Sequence, residues 1–307
     1  MTSPHKILLA TDGSDTAHAA TDFLMGLPLP AKAEVTVMTV LKSLLRDAEM
    51  AELEEEQREL YEKVSHETNS EAQQLLDTEA ERLQASGINT RTLIRAGHPA
   101  EEILREASDG GYDIIVVGSH GTHDPKRFLL GGTSDRVFEY APCSVLIVKP
   151  ASDEAVSDRH LRIFLAYDDS PPARAAVELL AALPLPESTR LKAVTALPLI
   201  KMFRQDVRQQ LNWIWKQKKT LAQQALERLQ NEVDWKSAEV SSELVETKDV
   251  ASALLEKAAE FDSDLMVIGN KGKSTFERFL LGSVTAQVTH HAPCSVLAVR
   301  QSGTDRA

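Results

Sequence analysis

A chain of 307 residues is long for one hydrophobic core and comfortable for two domains of about 150 residues each. Its formal net charge of −12 argues against duplex DNA or an anionic membrane as the main partner, since both need dense Lys and Arg to displace counterions or meet lipid head groups. With 42% hydrophobic and 26% charged residues the balance is that of a soluble globular protein.

The first apolar run, Lys6–Thr11, is broken by Asp12 and is too short for a signal-peptide core. No later stretch approaches the roughly eighteen apolar residues of a membrane span. A cytoplasmic protein is expected, with no nucleic-acid or membrane partner. Lys6–Thr11 reads as a strand, and Asp12-Gly13-Ser14 as the turn and N-cap of a helix Asp15–Leu27 that stops at the Leu-Pro-Leu-Pro of 27–30. A second strand spans Glu34–Leu41. Residues Leu44–Ala85 are helical in pattern and very polar, with acidic residues crowded between Asp47 and Glu62, as on a solvated face. Ser86-Gly87 closes that helix, Asn89–Arg95 is a third strand, and Gly97-His98-Pro99 opens a helix through Ala107. Asp113–Gly118 (DIIVVG) is a continuous apolar run, the mark of a parallel strand covered on both faces. A helix Ser134–Tyr140 and a strand Ser144–Val148 follow. Alternating strands and helices predict an open, mostly parallel α/β sheet with helices on both faces.

The order then repeats. Domain 1 is expected over 1–150, a polar linker over 151–160, and domain 2 over 161–307. Asp168 follows Asp12 at a spacing of 168 − 12 = 156, whereas Gly269 follows Gly118 at 269 − 118 = 151. Five residues are therefore missing from the second copy, and the helical region after Leu197 is where the loss is expected. That region, Lys201–Glu232, is basic in its first half. Phe203, Val207, Leu211 and Ile214 recur at helical spacing and are expected to face the core, flanked by Trp213 and Trp215, of which at least one is expected to pack inside. The contrast with the acidic helix of the first copy suggests that the two helices approach each other between domains or between protomers. Cys143 and Cys294 sit in identical APCSV pentapeptides and read as small buried side chains at strand starts.

The stretch that occurs twice is GSHGTHDPKRFLLGGTS (118–134) and GNKGKSTFERFLLGSVT (269–285). A strand ending in glycine, then a loop, then a helix opened by Gly, Ser or Thr directs unpaired backbone N–H groups and a positive dipole end to one point, which suits a phosphate. Gly118, Gly121 and Gly131 allow close backbone approach, and Ser134, Ser283 and Thr285 supply hydroxyls. Gly272-Lys273-Ser274 is not a Walker loop, because Val267 stands where its first glycine belongs. If the first and fourth strands are neighbours, Asp12 shares a crevice with the Gly118 loop, either accepting from a base or ribose or capping its helix.

These motifs, together with KILLATDGS and GHPAEEIL, resemble the universal stress proteins, whose nucleotide-binding members carry this glycine spacing. The resemblance covers nearly the whole chain, twice. It implies two tandem five-stranded sheets of order 3-2-1-4-5, pairing through the last strands, Ser144–Val148 and Ser295–Val299, about a pseudo-two-fold axis. It also implies ATP or AMP as ligand, with or without Mg. Carried across, Asp12 and Val40 would meet ribose and adenine beside Ala10, Thr11 and Val117. Gly118, His120 and Gly121 would lie on the phosphate side, and Gly131, Gly132, Thr133 and Ser134 at the phosphates. The second-half set is Ala166, Asp168, Ala196, Gly269, Lys271, Gly272, Gly282, Ser283, Val284 and Thr285. Gly132, Tyr167, Asp169 and Lys248 depart from the pattern, so the first half looks better for the base and the second for the phosphates.

Three functions are compatible with this reading: a stress-responsive regulator or protector that binds nucleotide, a nucleotide-free interaction or dimerisation module, and a slow ATPase. No catalytic residue or metal ligand is selected. His120 and His123 suit solvent or phosphate contact, and His290-His291 suits a helix C-terminus. A homo-oligomer or intramolecular pairing of the domains is expected.

Overall fold

The computed structural model describes residues 6–42, 54–121, 130–150, 160–199, 205–236, 238–272 and 281–301, with backbone only for 205–212. Asp47, His123, most of the linker, Phe203 and the loop segments 122–129 and 273–280 lie outside the described residues, as do the side chains of Val207 and Leu211.

The first half runs β1 (Lys6–Ala10), α1 (Asp15–Gly26), β2 (Glu34–Leu41), α2 (Glu55–Ala85), β3 (Asn89–Ala96), α3 (Pro99–Gly110), β4 (Ile114–Gly118), α4 (Gly132–Tyr140) and β5 (Ser144–Val148). The second runs β6 (Arg162–Ala166), α5 (Pro171–Ala182), β7 (Arg190–Pro198), α6 (Gln205–Glu232), β8 (Glu239–Thr247), α7 (Val250–Glu260), β9 (Leu265–Gly269), α8 (Ser283–His291) and β10 (Ser295–Val299). Local chemistry sets the boundaries. Ser14 Oγ accepts from the Ala17 N–H at 3.3 Å to start α1, and Ser170 Oγ accepts from Ala173 in the same way to start α5. Both helices end against Leu-Pro-Leu-Pro, and Gly111, at φ 63°, closes α3. The apolar runs of β4 and β9 are buried along their whole length.

Each half has the strand order 3-2-1-4-5, and the two five-stranded sheets join at β5 and β10 into one ten-stranded sheet, β3-β2-β1-β4-β5-β10-β9-β6-β7-β8. Pairing is parallel within each half and antiparallel at the junction, where Leu146 faces Leu297. Since 297 − 146 = 151, Leu146 meets its own repeat equivalent, and the local two-fold axis passes between them. Helices α1, α2, α5 and α6 cover one face over a core shared by both halves, from Ile7, Leu9 and Val35 to Leu165, Leu191 and Val299. On the other face the core is divided. One cluster lies under α3 and α4 around Leu8, Ile103 and Phe138, and another under α7 and α8 around Phe164, Leu254 and Val288. Where α1 and α5 meet, an apolar cavity of about 30 Å³ is lined by leucines from both halves, among them Leu24, Leu27, Leu180 and Leu183.

Two expectations need correction. Helix α2 packs on β2 and β3, and α6 on β7 and β8, at opposite ends of the sheet. Among the described residues the acidic and basic helices therefore do not meet within one chain. Nor does the apolar stripe of α6 all face inward: Ile214 is 39% exposed and Trp213 66%, whereas Trp215 is half-buried. The tryptophan that does pack inside is Trp235, beyond the helix, with Nε1 donating to the Leu229 carbonyl at 2.8 Å. The long helices also show where the second copy is shorter. Leu76 of α2 and Leu226 of α6 are equivalent buried positions, so the spacing has fallen from 156 to 226 − 76 = 150 between β7 and the second half of α6. Among the described residues no helix is long and apolar enough to cross a membrane.

Candidate functional site

In each half the chain winds outward through the second and third strands, then crosses to the other side of the first strand. A crevice opens at the carboxyl ends of β1 and β4, and another at those of β6 and β9. The first cleft has a volume of about 960 Å³ and the second about 460 Å³. Every first-half residue selected from the sequence lines the first cleft: Ala10, Thr11, Asp12, Val40, Val117, Gly118, His120, Gly121 and Gly131–Ser134. The second-half set, Ala166, Asp168, Ala196, Gly269, Lys271, Gly272 and Gly282–Thr285, lines the second cleft in full.

The glycine-loop end of each cleft is a helix start without a side-chain cap. Gly131 is the N-cap of α4 and Gly282 of α8, and neither helix start receives a capping side-chain hydrogen bond. The first-turn N–H groups and the positive dipole end are thus presented to the crevice. The hydroxyls behave otherwise than expected. Ser134 Oγ donates to the Gly118 carbonyl at 2.7 Å and Thr285 Oγ1 to the Gly269 carbonyl at 2.8 Å, tying each helix to its strand. Their hydroxyl hydrogens are therefore spent inside the protein, while Ser283 is exposed.

The glycines also have a structural reason beyond ligand approach. A Cβ on Gly118 would lie 2.7 Å from the backbone of Thr16, and one on Gly269 2.9 Å from the Ala173 nitrogen, so these glycines let α1 and α5 dock on the ends of β4 and β9. At Gly121 the obstructed atom is Asp12 Oδ2, at 2.7 Å, and at Gly272 it is Asp168 Oδ2, at 3.0 Å. The aspartates thus stand against the glycine loops, as their shared crevice required. Their other oxygens accept the main-chain N–H of Ser14 (3.1 Å) and Ser170 (3.0 Å). Thr16 Oγ1 donates to the His120 carbonyl, fastening the loop to α1. His120 Nδ1 lies 3.0 Å from Ser119 Oγ, and its buried Nε2 meets no hydrogen-bond partner among the described residues.

The departures in the second half have local explanations. Asp169 adopts φ 58°, close to the 73° of its counterpart Gly13, a left-handed conformation that aspartate tolerates better than most residues. Its carboxylate receives the Tyr167 hydroxyl at 3.0 Å and pairs with Arg174 at 3.1 Å. Burial first, and the bond to Asp169 second, push the Tyr167 hydroxyl up to about 12. At the end of α8, His291 Nδ1 lies 2.9 Å from the Gln287 carbonyl and His290 Nε2 lies 3.2 Å from Asp135 of the first half.

Sequence reasoning missed the long helices. Tyr61, Ser65, Thr68 and Asn69 of α2 line the first cleft, and Trp215, Lys218, Leu221 and Ala222 of α6 line the second. Strand ends add Lys42 and Arg95 to the first and Pro198 to the second. The available signal was the repeat itself, because Ser65 and Trp215 fall at the 150-residue spacing of the helices' buried faces.

A family model for the universal stress protein family matches residues 4–149 and again 160–300. The chain belongs to that family and carries its unit in tandem. The universal stress protein YxiE of Bacillus subtilis (strain 168) is 30% identical over 146 residues, 47% of this chain and 99% of that protein. A universal stress protein of Mycolicibacterium smegmatis is 28% identical over 221 residues, 71% of each chain. In structure, a universal stress protein from Archaeoglobus fulgidus aligns over 99% of this chain and 98% of its own, with a TM-score of 0.63 at 21% identity, a likeness of fold.

Proposed function

We propose that this stress protein binds an adenine nucleotide, ATP or AMP with or without Mg, in one or both clefts and acts as a stress-responsive regulator or protector. On this reading residues 1–150 and 161–307 are the two binding domains and 151–160 is their linker. One observation carries it: residues selected from scattered motifs converge on two crevices, each pairing an uncapped helix start with a strand-end aspartate. A glycine-bounded helix N-terminus is suited to phosphate, and an aspartate beside it to ribose or base hydroxyl and amino groups. The volumes, about 960 and 460 Å³, lie in the range of small-molecule sites.

The test is isothermal calorimetry of the purified protein with ATP and with AMP, alongside mass spectrometry of small molecules released on denaturation. Saturable heat, or co-purified adenine nucleotide, is the expected result. No heat with either nucleotide at millimolar concentration, and none released, would overturn the reading in favour of a nucleotide-free interaction module.

A further inference from the structure

The clefts differ most where the long helices line them. At the 150-residue spacing, Ser65 and Thr68 of α2 correspond to Trp215 and Lys218 of α6, and all four line their clefts. In the first cleft the side chains there are small and their polar groups turn back on their own helix: Thr68 Oγ1 donates to the Val64 carbonyl at 2.8 Å, and Asn69 Nδ2 to the Ser65 carbonyl at 2.9 Å. In the second, a half-buried indole occupies the position. Lys219 Nζ stands 5.4 Å from the centroid of the Trp215 ring and is itself held by Glu246 Oε1 at 2.7 Å. An ammonium fixed over one face restrains the ring and leaves its other face for a second partner.

The rest of the wall changes in the same sense. Pro198 stands where the first cleft has Lys42, at the 156-residue spacing of the strands, and the second cleft has about half the volume of the first. The phosphate-facing end is retained, with the uncapped start of α8 and Lys271 in the place of His120.

We propose that Trp215 is the specificity-determining residue of the second cleft, stacking the planar base of a nucleoside phosphate whose phosphate end lies at Gly282–Thr285. This rests on the nucleotide reading of the clefts and assigns base selection to the second of them. Every base offers a π-face to an indole, and preference among them comes from stacking strength, so the larger ring of a purine nucleotide is favoured over a pyrimidine.

The experiment combines calorimetry with tryptophan emission. The W213F variant retains Trp215 and the buried Trp235, and W213F/W215F retains Trp235 alone, so their difference reports on Trp215. ATP is expected to change the emission of W213F and leave that of W213F/W215F unaltered. In calorimetry, W215A is expected to weaken the second-cleft affinity for ATP about tenfold or more, with W215F restoring most of it. Inorganic tripolyphosphate, which has no base, is expected to bind W215A and the parent protein equally. Circular dichroism establishes that each variant is folded, and W215L, which keeps an apolar side chain but no ring, carries the comparison if W215A is not. ATP heat on the parent protein with unchanged affinity in the ring-deleting variant, or unchanged W213F emission on saturation, would overturn the stacking proposal alone. No ATP heat on the parent protein would overturn the nucleotide reading and this proposal with it.

Discussion

Lys149 and Arg300 trade helix ends across the junction of the two halves. Lys149 Nζ, just past β5, donates to the Ala292 carbonyl at 2.7 Å and the His290 carbonyl at 3.4 Å, at the end of α8. Arg300 Nη2, just past β10, donates to the Glu139 carbonyl at 2.9 Å and the Phe138 carbonyl at 3.5 Å, at the end of α4. The two residues are 300 − 149 = 151 apart, so the contact is reciprocal. Each places a cation at the negative end of the other half's helix, and burial lowers the pKa of both.

Replacing either cation by methionine keeps a similar stem and removes the donors. Lys149→Met and Arg300→Met are each expected to cost about 1–3 kcal/mol, because helix-end carbonyls lose their partners in a partly dry site. Urea unfolding measures this, and the two losses are expected to add. A variant as stable as the parent would show that water replaces the cation at no cost.

The helix-face core runs unbroken from one half to the other, so heat is expected to unfold the described halves in one transition. Leu180 is fully buried beside the small interhalf cavity. Leu180→Ala is expected to cost about 2–5 kcal/mol and to lower the single transition as a whole. Calorimetric scanning that resolved two transitions, only one of them moved, would count against a shared core.

Neighbouring glycines in the same loop should respond differently. A Cβ on Gly118 meets the Thr16 backbone at 2.7 Å, which cannot yield without moving α1 off the strand, whereas a Cβ on Gly132 meets nothing within 4 Å. Gly118→Ala is expected to destabilise by about 1–3 kcal/mol. Gly132→Ala, at the first helical position, is expected to be neutral or to stabilise by up to about 1 kcal/mol. Equal urea midpoints for the two variants would contradict the steric argument.

Alkali should expose two buried acids. Burial pushes the Cys294 thiol up from 9.0 to about 12 and, with the Asp169 bond, the Tyr167 hydroxyl from 10.0 to about 12. Both are neutral in the folded state at pH values where the unfolded chain ionises. The stability they carry is complete below about pH 9 for the thiol and pH 10 for the hydroxyl, and is lost as pH rises toward 12. Tyr167→Phe is expected to flatten the loss of stability between pH 10 and 12. At pH 8 a thiol reagent should label the half-buried Cys143 well before Cys294, read by peptide mass spectrometry.

The alternation of strands and helices and the two glycine loops were legible because they rest on local signals repeated twice: apolar runs ended by Asp12 or Gly118, Ser14 and Ser170 at helix starts, and a fixed glycine spacing. The strand order and the full set of cleft residues came from the family resemblance. The contribution of α2 and α6 was not legible. Their lining residues lie on long, mostly polar helices whose rotation about their own axes the sequence pattern does not fix. Polar character at Ser65 and Thr68 reads equally as a solvated face or a cleft wall, and only the packing of Leu76 and Leu83 against the sheet fixes which. For the same reason Ile214, at helical spacing from core positions, ended up outward. The hydroxyls of Ser134 and Thr285 looked like phosphate donors because a sequence cannot show that the carbonyl of the preceding strand lies within their reach.

The antiparallel meeting of Leu146 with Leu297 has a bearing on how the clefts can differ. In a two-fold pair of identical subunits every substitution is made twice, so a tryptophan that narrows one site narrows both. Here the axis relates two stretches of one polypeptide, each encoded separately. Symmetry is retained at the junction, where Lys149 and Arg300 each depend on the other half's helix, and is free to lapse at the clefts, each of which is lined by residues of one half alone. Ser65 and Trp215 are what that freedom permits: one architecture offering two chambers of unequal size and chemistry on a single ten-stranded sheet.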